Sequence, residues 1–259
     1  MPLPQAVSAL VTDRLSAVDA ALPGFVTALW VTGSAASGDW RPGRSDVDFV
    51  AATSRVPELA DLEALAALHA AVGEIHYDGL YVPAADLGAP PSAEESAAHV
   101  VNGEFASGPC GYCTPVTWLE LRQDGSAVRG PIPGTLVAAP DPAALRRWLL
   151  GNLRGYWSGQ AAHTERVAAE RPAAAPVGGE PVVWMTLGAP RLHATLAAGR
   201  ILSKTATGAY VAEHFPAYAG LARRCVAWRA GEDVSFTFAD GLDAARLVRA
   251  VVSAADATA

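Results

Sequence analysis

Little in this sequence is suited to an oxidising or membranous setting. It has 3 cysteines in 259 residues, an odd and small number that argues against a disulfide framework and agrees with a reducing compartment. No apolar run reaches the roughly 18 uncharged residues that a transmembrane helix needs. The opening residues, MPLPQAVSALVTDRL, lack the basic start and apolar middle of a secretory signal. A cytoplasmic protein without a membrane partner is therefore expected. Charge is sparse as well, at 17% of residues, and the formal net charge is −7. With no basic stripe, nucleic acid is not expected as a partner. The acidic balance favours a cationic small molecule, although mild acidity also serves solubility alone. What the chain does have is apolar surface: 51% of residues are hydrophobic, enough to bury the core of one large domain or two modest ones. There are no internal repeats, and a monomer is expected.

The pattern of apolar residues divides the chain. Val7, Leu10, Val11, Leu15 and Val18 recur at helical spacing and predict a helix over 5–21, ended by Pro23-Gly24. Residues 25–32 read as a strand, 33–38 as a turn into a short helical segment, and 45–52 as a second strand. Leu59, Leu62, Leu65 and Leu68 predict a helix over 58–72, and alternation over 74–82 predicts a third strand. Residues 84–91 read as loop, and Ser92 with Glu95 as a capped helix start. A fourth strand is expected over 114–122, with Asp124-Gly125 turning before Ala127-Val128. Near Pro140 the character changes. Asp141-Pro142 is a helix start, with Asp as cap and Pro at the first position. Helices are expected over 143–156, 182–198, 209–215, 217–229 and 241–257, with a Pro/Gly-rich connection over 173–181. The expected fold is α+β: an N-terminal α/β domain with a mixed sheet over 1–138, and a C-terminal helical bundle domain over 139–259.

The chemistry concentrates in one place. Gly33-Ser34-Ala35-Ala36-Ser37-Gly38 is followed by Ser45-Asp46-Val47-Asp48-Phe49-Val50. Two carboxylates one residue apart on a strand point to the same face, and together they can hold a divalent cation. A small-residue turn just upstream lets backbone N–H groups approach a phosphate chain. This spacing points to a metal-dependent nucleotidyl-transfer site, against the alternative of a solvated turn with two incidental acids. A third carboxylate on the neighbouring strand is needed to deprotonate an incoming hydroxyl. Glu74 and Asp78 share one face of the expected third strand and are the candidates. His76 lies on the same strand.

The strand, turn and second strand carrying Asp46 and Asp48 resemble the core of the DNA polymerase beta-like nucleotidyltransferase superfamily. More narrowly, the chain resembles the aminoglycoside nucleotidyltransferases that adenylylate streptomycin and spectinomycin. Asn102-Gly103-Glu104-Phe105 falls where that family has a Gly-Glu-aromatic element. Arg129-Gly130-Pro131 resembles its Val-Gly-Pro. Leu187 to Lys204 (LGAPRLHATLAAGRILSK) resembles a helix with an early Arg, a small-Gly-Lys/Arg turn and a Lys, and Ala217 to Arg229 its final helix. The resemblance runs from about Leu29 to Ala230. It implies an N-terminal nucleotidyltransferase domain, Mg²⁺ held by Asp46 and Asp48, and ATP as co-substrate. It also implies that Gly33, Ser34 and Ser45 meet the nucleotide phosphates, that Arg191 and Lys204 bind them from the helical domain, and that the site lies in the cleft between the domains. Aligning DGLYV places Asp78 at the catalytic base. The family usually has Glu there, and Asp is one methylene shorter. That departure leaves open a base with altered reach, a third metal ligand, or a weakened enzyme.

The acceptor implied is a cationic aminoglycoside or aminocyclitol. Glu104, Phe105, Trp157 and Glu180 are the substrate-side candidates, because carboxylates pair with ammonium groups and an aromatic face packs on the ring. Core packing for the aromatics and a solvated loop for the acids are the competing readings. The family's streptomycin readers include a Trp at the place of Phe105 and acids in the loop before the Arg191 helix. Here that loop, TERVAAERPAAAPVGGEP, is rewritten, so antibiotic preference does not carry over. Arg191 and Lys204 also read as ordinary surface cations. Cys110-Gly111-Tyr112-Cys113 has the spacing of a redox dithiol or half a zinc site, but has no second pair or His partners, and Pro109 and Gly111 read as loop. Trp118, Trp148, Trp184 and Trp228 are expected in the core or between the domains.

Overall fold

The computed structural model describes residues 2–70, 73, 75–88 and 96–257. The fold is α+β and divides into two compact units, residues 1–141 and 142–259. In the first unit, helix α1 (Gln5–Ala21) buries Val7, Val11 and Val18 along one side. Strand β1 (Val26–Thr32) leads through the short helix α2 (Gly33–Ser37) and a loop to β2 (Val47–Thr53). Then come α3 (Leu59–His69), β3 (Tyr77–Pro83), β4 (Ser96–Val101), β5 (Glu104–Pro109), α4 (Pro115–Asp124), β6 (Ser126–Arg129) and the single turn α5 (Pro133–Leu136). The six strands form one mixed sheet in the order β5-β4-β3-β2-β1-β6. Among the described residues only β2 and β3 run parallel, with Asp48 opposite Asp78 and Phe49 opposite Gly79.

A parallel pair needs a crossover, and α3 supplies it. Its start is fixed by charge. The Glu58 side chain accepts the backbone N–H of Asp61, and the Asp61 carboxylate accepts the N–H of Glu58 at 2.7 Å. The Arg55 guanidinium forks onto the buried Asp61, with Nη2 2.8 Å from Oδ1.

Alternation along the strands splits the sheet's residues between two cores. On one side Leu29, Val31, Phe49, Ala51, Tyr77 and Tyr81 pack with Val7, Val11 and Leu65. On the other, Ala28, Trp30, Val50, Ala52, Leu80 and Val82 pack with Trp118, Leu121, Cys110 and Cys113. The first core contains an aromatic stack. Phe49 lies 4.3 Å from Tyr77, Phe105 stacks on His69 at 6.0 Å, and His69 Nε2 is 2.8 Å from the Tyr81 hydroxyl. Burial, aided by the nearby Arg14 charge, pushes the His69 imidazole down to about 4.

Two expectations for this unit change. Residues 114–122 are not a strand. Thr114 caps α4 by accepting the Thr117 N–H at 3.2 Å, Pro115 occupies the first turn, and Trp118 and Leu121 are buried three residues apart. Residues 96–109 form a hairpin, turned at Asn102 (φ 53°) and Gly103 (φ 77°). Asn-Gly favours this two-residue turn because both positions need positive φ. Ser92, Glu95 and Glu74 lie outside the described residues.

The second unit is helical apart from one short strand pair. Helix α6 (Pro142–Asn152) passes through a wider turn at Leu153–Trp157 into α7 (Ser158–Ala169). Strand β7 (Pro176–Val177) precedes α8 (Gly179–Ala198), α9 (Lys204–His214), α10 (Ala219–Arg229), β8 (Phe236–Thr237) and α11 (Phe238–Ala257). Strands β7 and β8 pair antiparallel. The core sets Val183, Leu187 and Ala189 of α8 with Ala244, Leu247, Val248 and Val251 of α11. Residues 164–169, read from the sequence as loop, complete α7. Among the described residues, no helix is long and apolar enough to cross a membrane.

Two outcomes follow from the first unit's core. A Cβ on Gly79 would sit 2.1 Å from the Phe49 carbonyl oxygen. Gly79→Ala must therefore part β2 from β3, and it is expected to lower the unfolding free energy by about 2–3 kcal/mol in urea titration. His69 titrates near 4 when folded against 6.5 in the open chain. The unfolded state therefore gains a proton that the folded state refuses. His69 has no effect on stability above the unfolded value, and stability falls as pH drops from about 6.5 to about 4, by about 3 kcal/mol in all. Urea midpoints across that window are expected to show this slope, and His69→Gln to flatten it.

Candidate active site

The acidic site stands at the start of β2, where three segments of the first unit meet. Asp46 lies just before the strand and is exposed; Asp48 is its second residue and is half-buried. The loop that delivers them is closed by Ser45. Its hydroxyl accepts the Arg41 N–H at 3.1 Å, and its own N–H donates to the Arg41 carbonyl at 3.0 Å. His76 Nδ1 lies 3.9 Å from Asp46 Oδ1. On the antiparallel side, Asp48 pairs with Thr32, the residue before the Gly33-Ser34 turn.

Gly33 is required at that turn for two reasons. Its φ of 62° disfavours any side chain, and a Cβ there would lie 2.1 Å from Asp48 Oδ2. The missing side chain lets the Asp48 carboxylate rest against the turn backbone. The turn continues into α2, closed by Gly38 in the left-handed conformation with Asp39 N–H donating to the Ser34 carbonyl at 2.9 Å. Gly33, Ser34, Ser45, Asp46 and Asp48 are thus gathered in one place.

Asp78 is also brought there, because it is the register partner of Asp48 on the same face of the neighbouring strand. Its carboxylate is already engaged. Asn102 N–H donates to one oxygen at 2.7 Å and Gly103 N–H to the other at 2.8 Å. Asp78 therefore holds the turn of the β4–β5 hairpin, a role the sequence reading did not foresee. Two carboxylates from Asp46 and Asp48 suit a hard divalent cation that takes its remaining ligands from water and phosphate. Among the described residues no three His, Cys, Asp or Glu side chains gather as a metal-holding group. A metal here would rely on that pair, with Asp78 outside the set.

The substrate-side candidates fall differently. Glu104 opens β5, exposed, directly after Gly103. Phe105 stacks on His69 within the core on the opposite face of the sheet from Asp48 and Asp78. In the second unit Trp157 is buried against Trp184 at 4.5 Å, and it fills the space where a Cβ on Gly188 would lie 2.4 Å from its ring. Trp157 is a core residue and Phe105 packs, partly buried, against the core, the arrangement of the competing packing reading. Glu180 is exposed in the first turn of α8. Arg191 Nε donates to the Leu202 carbonyl at 2.7 Å, which brings its side chain to the segment leading into Lys204, the first residue of α9. Pro190 lies inside α8 without ending it. Lys204 is the only lysine in the sequence.

The Cys110–Cys113 turn packs over the same face of the sheet as Asp48 and Asp78. All three cysteines are buried thiols outside any disulfide. Hydrogen bonding from Cys113, against opposing burial, holds the Cys110 thiol below the ordinary thiol range.

Known proteins share this architecture. Residues 15–86 match the family model described as a nucleotidyltransferase domain. No curated protein sequence matches the chain. Among solved structures, the chain is similar to the spectinomycin adenyltransferase AAD(9) from Enterococcus faecialis, determined with ATP and spectinomycin. The TM-score is 0.68 at 12% identity, over 93% of this chain and 99% of that one. At that identity the likeness is one of fold.

Gly33→Ala tests the local geometry. The alanine must either displace Asp48 or distort the turn. It is expected to cost about 1–3 kcal/mol in urea unfolding.

Proposed function

We propose, for a chain whose residues 15–86 match a nucleotidyltransferase domain, that it transfers AMP from ATP to a hydroxyl of a cationic aminocyclitol or aminoglycoside. The observation that carries this reading is the convergence of the Gly33 turn with Asp46 and Asp48, and with Asp78 in register beside Asp48. Asp46 and Asp48 would hold Mg²⁺, which when bound supplies charge neutralisation for the α-phosphate and the departing pyrophosphate. The backbone of Gly33 and Ser34 binds phosphate oxygens, and Ser45 keeps the Asp46 loop closed. Asp78 orients the acceptor. Each of its oxygens keeps one acceptor position beyond the amide it already serves, so it can take the attacking hydroxyl's proton. Glu104 pairs with an ammonium group of the acceptor, and Glu180 is the second such acid. Arg191 and Lys204 are the cations that bind the triphosphate. ATP and an aminocyclitol as co-substrates are supported by the ligands of the similar adenyltransferase.

A second reading is favoured by the state of Asp78. A carboxylate committed to two turn amides also suits a protein that binds nucleotide without turning it over. Pyrophosphate release with ATP, Mg²⁺ and a panel of aminoglycosides separates the two. Release with at least one acceptor is expected, falling about a hundred- to thousandfold in Asp46→Asn or Asp48→Asn. ATP binding with no release on any acceptor would instead establish the regulator.

A further inference from the structure

One cation of the first unit is held in place without being used. Arg41 lies in the loop between α2 and β2, and its backbone closes that loop. Its N–H donates to the Ser45 hydroxyl at 3.1 Å, and its carbonyl accepts the Ser45 N–H at 3.0 Å and the Arg44 N–H at 3.1 Å. Trp40, beside it, packs against the first core. None of these contacts needs the arginine side chain. Its guanidinium stands with Nη2 3.5 Å from Oδ1 of the buried Asp39, beyond the ordinary N–H···O range of about 2.7–3.2 Å. Nε is buried and, among the described residues, has no hydrogen-bond partner. Other arginines of this unit engage their donors inside the protein: Arg14 on the Leu68 carbonyl, Arg55 on Asp61, Arg122 on the Val137 carbonyl and Arg129 on Asp19. A guanidinium that is oriented but not engaged calls for an acceptor from outside, because buried N–H groups are as a rule paired.

The place of Arg41 says which acceptor. The Asp39 N–H donates to the Ser34 carbonyl at 2.9 Å, so the carboxylate that orients the guanidinium is itself tied to the Gly33-Ser34 turn. On its other side Arg41 is tied through Ser45 to the loop that delivers Asp46. It is therefore fastened to both arms of the acidic site, the turn and the loop. The Ser45 hydroxyl accepts from the Arg41 N–H and keeps its own proton to donate. The Arg41 side chain is 41% exposed, so an anion can reach its open edge. A planar guanidinium fork matches the oxygens of phosphate two at a time.

We infer that Arg41 is a triphosphate-binding residue whose guanidinium holds the β- and γ-phosphates of the nucleotide, the end that departs as pyrophosphate. This rests on the nucleotidyl-transfer reading and gives the first unit a cation of its own for the leaving group. The terminal phosphates are assigned because the reaction needs the α-phosphate beside Asp48 and Asp78, whereas the contacts of Arg41 are with Ser45 and Asp39.

Calorimetry on the full chain tests the assignment, with Mg·ATP titrated directly and AMP measured by its displacement of ATP. Arg41→Ala removes the guanidinium and leaves the backbone bonds to Ser45 available. It is expected to weaken Mg·ATP binding about tenfold while AMP affinity stays within about twofold. Arg41→Lys recovers part of the loss, since it returns the charge without the fork. The double variant Asp39→Asn/Arg41→Ala, which leaves no buried carboxylate without its counter-ion, shows the same split between ATP and AMP where the single variant folds poorly. Arg44→Ala, at an exposed position of the same loop, is expected to leave both affinities in place. A residue that served only as counter-ion to Asp39 would lower the urea midpoint and move the two affinities together. Equal losses for ATP and AMP, unchanged ATP affinity in Arg41→Ala, or an equal loss in Arg44→Ala each overturns the inference. Absence of Mg·ATP binding in the unmodified chain defeats the nucleotidyl-transfer reading itself.

Discussion

The parallel pairing of β2 with β3 is the constraint on which the acidic site depends. Parallel strands cannot be joined by a tight turn, so the chain must leave the sheet, form α3 and return. The Arg55, Glu58 and Asp61 cluster fixes where that helix begins. Gly79 then lets β3 close on the Phe49 carbonyl, where a Cβ would intrude. Once the register is set, Asp48 and Asp78 are neighbours on one face. Side chains of period two permit no other outcome: a slip of one strand by one residue would turn its acid into the aromatic core. The site is therefore as well defined as the strand pair beneath it.

The two faces of the sheet divide the work. The face with α1 and α3 is dry and aromatic, and its stack of Phe49, Tyr77, His69 and Phe105 keeps an imidazole neutral inside it. The opposite face is lined by Trp30 and aliphatic residues, with α4 and the two thiols over it, and it ends in carboxylates. Since fully burying one large apolar side chain contributes about 1.5–3 kcal/mol, the aromatic face holds the strands together while the end of the other face carries the carboxylates. That separation explains why Phe105 cannot serve both sides. Strand alternation assigns it to the core, while its neighbour Glu104 faces outward at the end that carries the acids.

Much of this was legible in the residues. The apolar spacing of α1 and α3, the Asp141-Pro142 start of α6 and the turn before Asp46 all carry local signals that tertiary packing does not override. The misreadings have definite causes. Val116, Thr117, Trp118 and Leu121 have strand-favouring composition, but Thr114-Pro115 is a helix start, and that cap outweighed the composition. The β4–β5 hairpin is announced by Asn102-Gly103, the two positions that take positive φ. Burial of Trp157 depends on Gly188, some thirty residues away, and no local pattern reports such a contact. Nor does any pattern report that a carboxylate on β3 will be claimed by amides of a turn 24 and 25 residues further along the chain.

That last contact gives the Asp-for-Glu departure a structural sense. The Asn102 and Gly103 amides both point inward because their left-handed conformations turn them toward β3. A carboxylate on a one-carbon stem meets them without leaving the sheet. A longer stem would overshoot the amides or have to fold back, leaving two turn donors to find other partners. The shorter acid thus joins the hairpin to the site: the position of Glu104 at the start of β5 follows from where Asp78 holds the turn. A change in the length of this one side chain would move Glu104 as well as the Asp78 carboxylate, so the two are not independent variables in this protein.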